Sequence, residues 1–335
     1  MKITAGLGSV DDYPMYVEAG ADECFCGYVP FVWAEKYGVL NPLNRREVRA
    51  YNVQIGSYEE LKILGNMRKY YQVPVAITFN SLSYTPEQYP VVGEIIGQCH
   101  QAGFDTIIVA DPALLLYIRS QKIPCRIHLS GEFGEINSQM ADFLEEMEIC
   151  RVIFHRKNTV EDMKSCISNL KKNIGYEAFV LNELCHFSGG FCNSLHCDEL
   201  GHLCRVPYRV GKLNKKCKGV LELSNQKADE VENEDLDVEN YRTGAGGCGL
   251  CALYDLQKAG ITYLKIVGRG NYTEFMQQDI IRLKKCAYDF GNSGNEKRIP
   301  GSYETGIVPR WVQSKLLLLT AVLTGIPESF DLIRS

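Results

Sequence analysis

Gln101-Ala102-Gly103-Phe104-Asp105-Thr106-Ile107-Ile108-Val109-Ala110-Asp111-Pro112 contains a complete helix–strand–helix junction. Gly103 fits the left-handed C-cap of a helix that turns straight into a strand. Thr106–Ala110 is a near-continuous apolar run, as expected of a parallel strand covered on both faces. Asp111-Pro112 then opens a helix with a capping side chain and a proline in the first turn. The junction recurs: Glu18-Ala19-Gly20-Ala21-Asp22 precedes a strand at Glu23–Gly27, and Lys258-Ala259-Gly260-Ile261-Thr262 precedes one at Tyr263–Val267. Similar runs predict strands at Lys2–Ala5, Val75–Phe79, Arg126–Leu129, Arg151–Phe154 and Tyr176–Val180. Ser57-Tyr58-Glu59-Glu60 is a capping box, Thr85-Pro86-Glu87-Gln88 combines an N-cap, a first-turn proline and a glutamine, and Asn158-Thr159 opens a further helix. Eight strands with seven intervening helices and one following helix predict a TIM-like (β/α)8 barrel of the α/β class. An open doubly wound sheet is the alternative.

The 335 residues are 45% hydrophobic and 23% charged, which supports a full core and excludes wholesale disorder. No apolar run reaches the ~18 residues of a membrane span. Met1–Gly6 lacks signal-peptide anatomy, so a cytoplasmic protein is expected. A net charge of −5 argues against a broadly basic nucleic-acid surface, though not against a local one.

Two connections are too long for plain loops. Tyr28–Gly56 is aromatic and basic, with Arg45, Arg46 and Arg49, and Leu181–Gly249 is rich in cysteine. Both follow a strand, which in a barrel places them at the C-terminal face, where active sites are built. The expected organisation is a barrel over residues 1–291 with an insertion at about 181–250 after the seventh strand, then an extension, 292–335, with an amphipathic helix. Asp229–Glu239 carries seven acidic residues and reads as a solvated loop.

Of fourteen cysteines, seven (Cys185, Cys192, Cys197, Cys204, Cys217, Cys248 and Cys251) fall between residues 185 and 251. In a reducing compartment such cysteines are core residues, metal ligands or catalysts. Here glycine, serine and charge surround them, and no apolar periodicity does, which points to a metal. Zinc sites favour paired Cys-x2–4-Cys knuckles, and Cys248/Cys251 is the pair of the tight two-residue spacing. The wider gap from Cys185 to Cys192 suits an iron–sulfur cluster held by wrapping loops. Cys24 and Cys26 share one strand face and read as core.

Tyr176-Glu-Ala-Phe-Val-Leu-Asn-Glu-Leu-Cys185, with Ser188-Gly189 and Cys192, resembles the signature of peptidase family U32. Gly201-His-Leu-Cys204-Arg-Val-Pro-Tyr208-Arg209 is similar to its third-cysteine segment. Leu250-Cys251, Ala259-Gly260 and Leu264-Lys265-Ile266-Val267-Gly268-Arg269 resemble a later block. Earlier segments agree in order, among them Thr78-Phe79-Asn80, Val109-Ala110-Asp111-Pro112 and Ile127-His128-Leu129-Ser130. The resemblance implies an oxygen-independent hydroxylase with a 4Fe-4S cluster, acting on transfer RNA, ribosomal RNA or a small ubiquinone precursor, with prephenate as oxygen donor. It implies Cys185, Cys192, Cys204 and Cys251 as ligands, with Cys248 the substitute for Cys251. The chain departs from the pattern at Leu181-Asn182, at His155-Arg156-Lys157 and at Val267. Two alternatives stand beside this one: a non-catalytic iron–sulfur or zinc subunit that binds a paralogous chain or forms a homodimer, and a U32-type peptidase. No Gly-x-Ser-x-Gly elbow or His-Glu-x-x-His helix supports hydrolysis.

Strand ends supply the remaining candidates. His128, Asn80 and Asp111 are placed for acid–base or polar catalysis, with Ser130 beside them as a substrate contact. The bland readings are a satisfied histidine and, for Asp111, a helix cap. Arg156 and Arg269 end the sixth and eighth strands and suit bidentate binding of a dicarboxylate such as prephenate, or else rim salt bridges. His186, His196 and His202 are secondary metal candidates. Arg45, Arg46, Arg49, Arg205, Arg209, Lys212, Lys215, Lys216 and Lys218 are the candidate RNA contacts.

Overall fold

A computed structural model describes residues 1–38, 41–47, 53–134, 136–143, 147–170, 174–182, 192, 241–244 and 247–293. The strands are β1 (Lys2–Gly6), β2 (Glu23–Tyr28), β3 (Gln54–Ile55), β4 (Val75–Phe79), β5 (Thr106–Val109), β6 (Arg126–Leu129), β7 (Ile149–Ile153), β8 (Gly175–Leu181) and β9 (Tyr263–Ile266). The helices are α1 (Asp12–Ala19), α2 (Phe31–Tyr37), α3 (Tyr58–Tyr71), α4 (Gln88–Gln101), α5 (Pro112–Ser120), α6 (Ser138–Phe143), α7 (Val160–Asn169), α8 (Leu253–Ala259) and α9 (Thr273–Ser293). All pairings between strands are parallel, and β1 pairs with both β2 and β9, so the sheet closes into an eight-stranded barrel. The two-residue β3 is extra: it pairs with Gly27 and Tyr28 at the C-terminal end of β2. This is the (β/α)8 fold, and the open-sheet alternative is excluded by closure.

Local chemistry explains the element ends. Gly20 and Gly260 take φ of 105° and 98° as C-caps, and Gly103 takes 94° in the turn before β5, conformations a side chain would oppose. Ser57 with Glu60, and Thr159 with Asp162, form capping boxes. Thr85 does not start α4 directly. Its N–H donates to Gln88 Oε1 at 2.8 Å in a preceding turn, and the helix begins at Gln88. The segment 28–56 is not wholly irregular, since α2 and β3 lie within it.

The barrel interior is layered. Nearest the N-terminal ends of the strands, Arg151 donates to Glu23 through both terminal nitrogens (2.6 and 2.7 Å) and to Glu177 at 2.7 Å, while Lys265 donates to Glu177 at 2.8 Å. One step further along the strands comes an apolar layer of Phe25, Ala76, Ile108 and Ile153, packed by Phe179. The rim side chains follow beyond it, because the strands are parallel and alternate residues share a face. Burial opposes the Glu177 charge, yet Lys265 and Arg151 hold its carboxyl down at about 2.

One compact unit runs from Met1 to Gly294. The expected C-terminal extension lies outside the described residues beyond Ser293, as does most of the cysteine-rich insertion. Among the described residues no helix is long and apolar enough to cross a membrane.

Candidate functional site

The C-terminal mouth of the barrel gathers a buried polar cluster from five connections. Arg45, in the segment after α2, is its hub. Its backbone N–H donates to Asn80 Oδ1 at 3.1 Å, its Nη1 donates to the Cys192 carbonyl at 3.4 Å, and its Nε stands 3.9 Å from Glu132 Oε2. Glu132 also pairs with Arg156, and its N–H donates to Ser130 Oγ at 3.1 Å. Arg156 in turn contacts His155 Nε2 at 3.1 Å and lies over the Phe179 ring. The expected residues Asn80, Ser130, Arg156 and Cys192 are thereby joined through two residues not singled out for this role, Arg45 and Glu132.

A second corner of the mouth is built on Arg269. It is buried, and its Nη1 donates to Thr78 Oγ1 at 3.4 Å. Burial and the nearby Arg46 push its pKa down to about 10, so it still carries its charge at neutral pH. Glu47 faces this corner; it accepts from the Asn44 N–H at 2.5 Å, and burial pushes its pKa up to about 7. Asn44 and Glu47 were not legible as site residues, although the run Asn44-Arg45-Arg46-Glu47 in a strand-end connection was a usable signal.

The remaining expected catalytic residues are placed elsewhere. His128 is buried in the lower layer, with Nδ1 4.0 Å from Glu23 Oε1. Burial and Arg151 push its pKa well below the usual histidine range, so the imidazole is neutral there. The Asp111 carboxylate caps α5 through the Ala113 N–H at 2.8 Å and accepts from Tyr89 Oη at 2.8 Å and the Tyr84 N–H at 3.3 Å. Both of its oxygens are therefore occupied.

The cysteine-rich insertion leaves and rejoins the barrel at one point. Leu181 bridges Cys248 in antiparallel fashion, the Asn182 N–H donates to the Gly247 carbonyl at 2.9 Å, and the Gly249 N–H donates to the Val180 carbonyl at 2.7 Å. Asp279 of α9 clamps both roots, accepting from Asn182 Nδ2 at 2.7 Å and Tyr241 Oη at 2.6 Å. Cys251 is exposed in a short 3-10 turn, Leu250–Ala252, and Cys192 is buried beside the rim. Cys185, Cys204, Cys197, Cys217 and His186, His196 and His202 lie outside the described residues. Among the described residues no group of three metal-binding side chains occurs.

A (β/α)8 barrel with an arginine-lined mouth and a cysteine-rich insertion on its seventh barrel strand, β8, defines the class. The sequence matches the pattern of peptidase family U32 over residues 8–306, and the chain belongs to that family. It is similar to the tRNA hydroxylation protein P of Escherichia coli (strain K12), with 26% identity over 202 residues, 58% of this chain and 41% of that protein. The protein of the same name from Haemophilus influenzae is 25% identical over 129 residues, 38% of this chain and 27% of its own length. The chain thus spans less than half of the curated relatives it matches. A solved U32 peptidase aligns over 54% of this chain and 68% of its own, at 12% identity and a TM-score of 0.40.

Proposed function

We propose that this chain is a cytoplasmic 4Fe-4S enzyme that hydroxylates RNA without molecular oxygen, with prephenate as oxygen donor. The observation that carries the reading is the contact of Arg45 with the Cys192 carbonyl, which joins the cysteine insertion to the arginine-lined mouth. Family membership and the names of the two relatives support it.

The donor chemistry fits a cluster. Thiolates are the usual ligands of iron–sulfur centres, and the insertion returns Cys248 and Cys251 to the barrel end at which Cys192 lies. Cys192 and Cys251 would hold the cluster together with Cys185 and Cys204. When bound, the cluster would supply one-electron chemistry. The protein's own contribution is positioning: Arg269 would hold an anionic group, Arg156 is paired with Glu132 on the rim, and Phe25, Ile108 and Ile153 seal the mouth from the ion pairs beneath. Low local dielectric strengthens each of those charge contacts.

The test is anaerobic incubation of the full chain with bulk transfer RNA and prephenate, followed by nucleoside mass spectrometry. A nucleoside heavier by one oxygen atom, formed only with prephenate, is expected. Release of peptide fragments from a protein substrate, without any RNA change, would replace this reading with the peptidase one.

A further inference from the structure

Among the described residues at the barrel mouth, Asn44 is the side chain for which both polar atoms lack a partner of good geometry. Asn44 is fully buried; neither carboxamide atom makes a hydrogen bond of good geometry, and among the described residues the only polar group its side chain acts on is the Glu47 carboxyl. A buried amide with both atoms unpaired is strongly unfavourable unless a bound group completes it. Arg269 poses the same question. Its guanidinium is buried with a single long hydrogen bond, to Thr78, and among the described residues it forms no ion pair with a carboxylate. Glu47, the carboxylate that acts on Arg269, accepts from the Asn44 N–H.

The two groups converge on one place. A Cβ atom on Gly27 would lie 2.8 Å from Arg269 Nη1 and 3.3 Å from Asn44 Nδ2, and one on Gly6 would lie 3.1 Å from Arg269 Cγ. Neither glycine adopts a positive φ, so what each permits is close approach: the Arg269 side chain and Phe25 pack against Gly6, and the guanidinium, Gln54 and the Asn44 carboxamide meet over Gly27.

We infer that Arg269 and Asn44, which meet beside Gly27, form a subsite for an α-oxygenated carboxylate. The guanidinium takes the carboxylate, and the carboxamide takes the oxygen on the adjacent carbon. An α-hydroxyl donates to Asn44 Oδ1 and accepts from Nδ2, completing both. An α-keto oxygen completes only Nδ2, and an unsubstituted carboxylate completes neither. Hydrogen phosphate can donate from its one P–OH, but its oxygens all sit on a single centre and do not span the guanidinium and the carboxamide as a carboxylate with an α-oxygen does. The inference deepens the reading of the mouth as an anion site and rests on that reading, but it needs neither the cluster nor RNA.

Calorimetric titration of the full chain with L-lactate, D-lactate, pyruvate, propionate and inorganic phosphate tests it. One lactate enantiomer should bind roughly tenfold tighter than propionate, with pyruvate between them and phosphate no better than propionate. Asn44→Leu should bring lactate to the affinity of propionate while leaving the ligand-free melting temperature unchanged or raised, because two unpaired buried atoms are removed. If Asn44→Leu does not fold, Asn44→Asp keeps the shape and should lose binding of every carboxylate. Arg269→Met should abolish binding of all five probes. Equal binding of lactate and propionate, no binding of any probe, or a preference that survives in Asn44→Leu overturns the subsite. Lactate preference in a chain without iron would leave the subsite standing and sink the cluster. RNA hydroxylation without lactate preference would do the reverse.

Discussion

Arg151→Met removes the cation at the centre of the barrel's lower layer. Glu23 then loses both of its short contacts, at 2.6 and 2.7 Å, while Glu177 keeps Lys265 at 2.8 Å. Breaking a buried pair from one side costs about 3–5 kcal/mol, since a carboxylate is left in a dry interior. For a unit of this size that is a fall in melting temperature of roughly 6–15 °C. The deficit should depend on pH. Burial already pushes the Glu23 carboxyl above its ordinary value of 4.5, against the pull of Arg151. Without Arg151 the raised folded-state pKa rises further, so Glu23 supports folding only while protonated, and stability is lost as pH rises through that value. The assay is thermal unfolding followed by circular dichroism across pH. Glu23→Leu combined with Arg151→Met should recover most of the loss, because it removes the stranded charge and fills the space. A single variant that costs under about 1 kcal/mol, or a double variant no better than the single, would refute the assignment of these residues as a coupled interior network.

Further outcomes follow from the same structure. Gly65→Ala should destabilise by about 1–3 kcal/mol in urea titration, because its Cβ would fall 2.3 Å from the Ala102 carbonyl oxygen. Glu47 titrates from an ordinary 4.5 up to about 7 in the fold, so its contribution is full below about 4.5 and is lost as pH rises through about 7. Glu47→Gln should therefore flatten the melting-temperature profile across that window. Asp279→Leu should release Asn182 and Tyr241, and with them both roots of the cysteine insertion. Faster proteolysis within 183–240, with the barrel core left intact, is the expected readout. Asp111→Ala should cost about 2 kcal/mol in chemical unfolding, from a lost helix cap and the freed Tyr89 hydroxyl.

The barrel was legible because its eight strands are short, largely apolar runs, and Gly20, Gly103 and Gly260 mark the helix-to-strand junctions before three of them. The short α2 and β3 were not, because Phe31–Tyr37 and Gln54–Ile55 carry too few residues for a periodicity to show. The interior ion pairs were hidden for another reason. Glu23, Arg151, Glu177 and Lys265 each stand alone in a separate strand, and only closure of the sheet brings them within hydrogen-bond reach. At the mouth, strand-end position was enough to place Asn80, Ser130, Arg156 and Arg269 as candidates on the barrel rim. Position alone did not reveal that Arg45 and Glu132 link three of them, or that His128 points into the lower layer with Glu23.

Metal content of the anaerobically purified full chain is the most direct test of the proposed centre, read as iron, acid-labile sulfide and zinc beside the visible absorption spectrum. About four irons per chain with matching sulfide and broad absorption near ~400 nm are expected, and Cys192→Ser and Cys251→Ser should each lose them. A colourless protein with one zinc per chain, or iron that survives both substitutions, would contradict the assignment of the cysteine insertion as an iron–sulfur site.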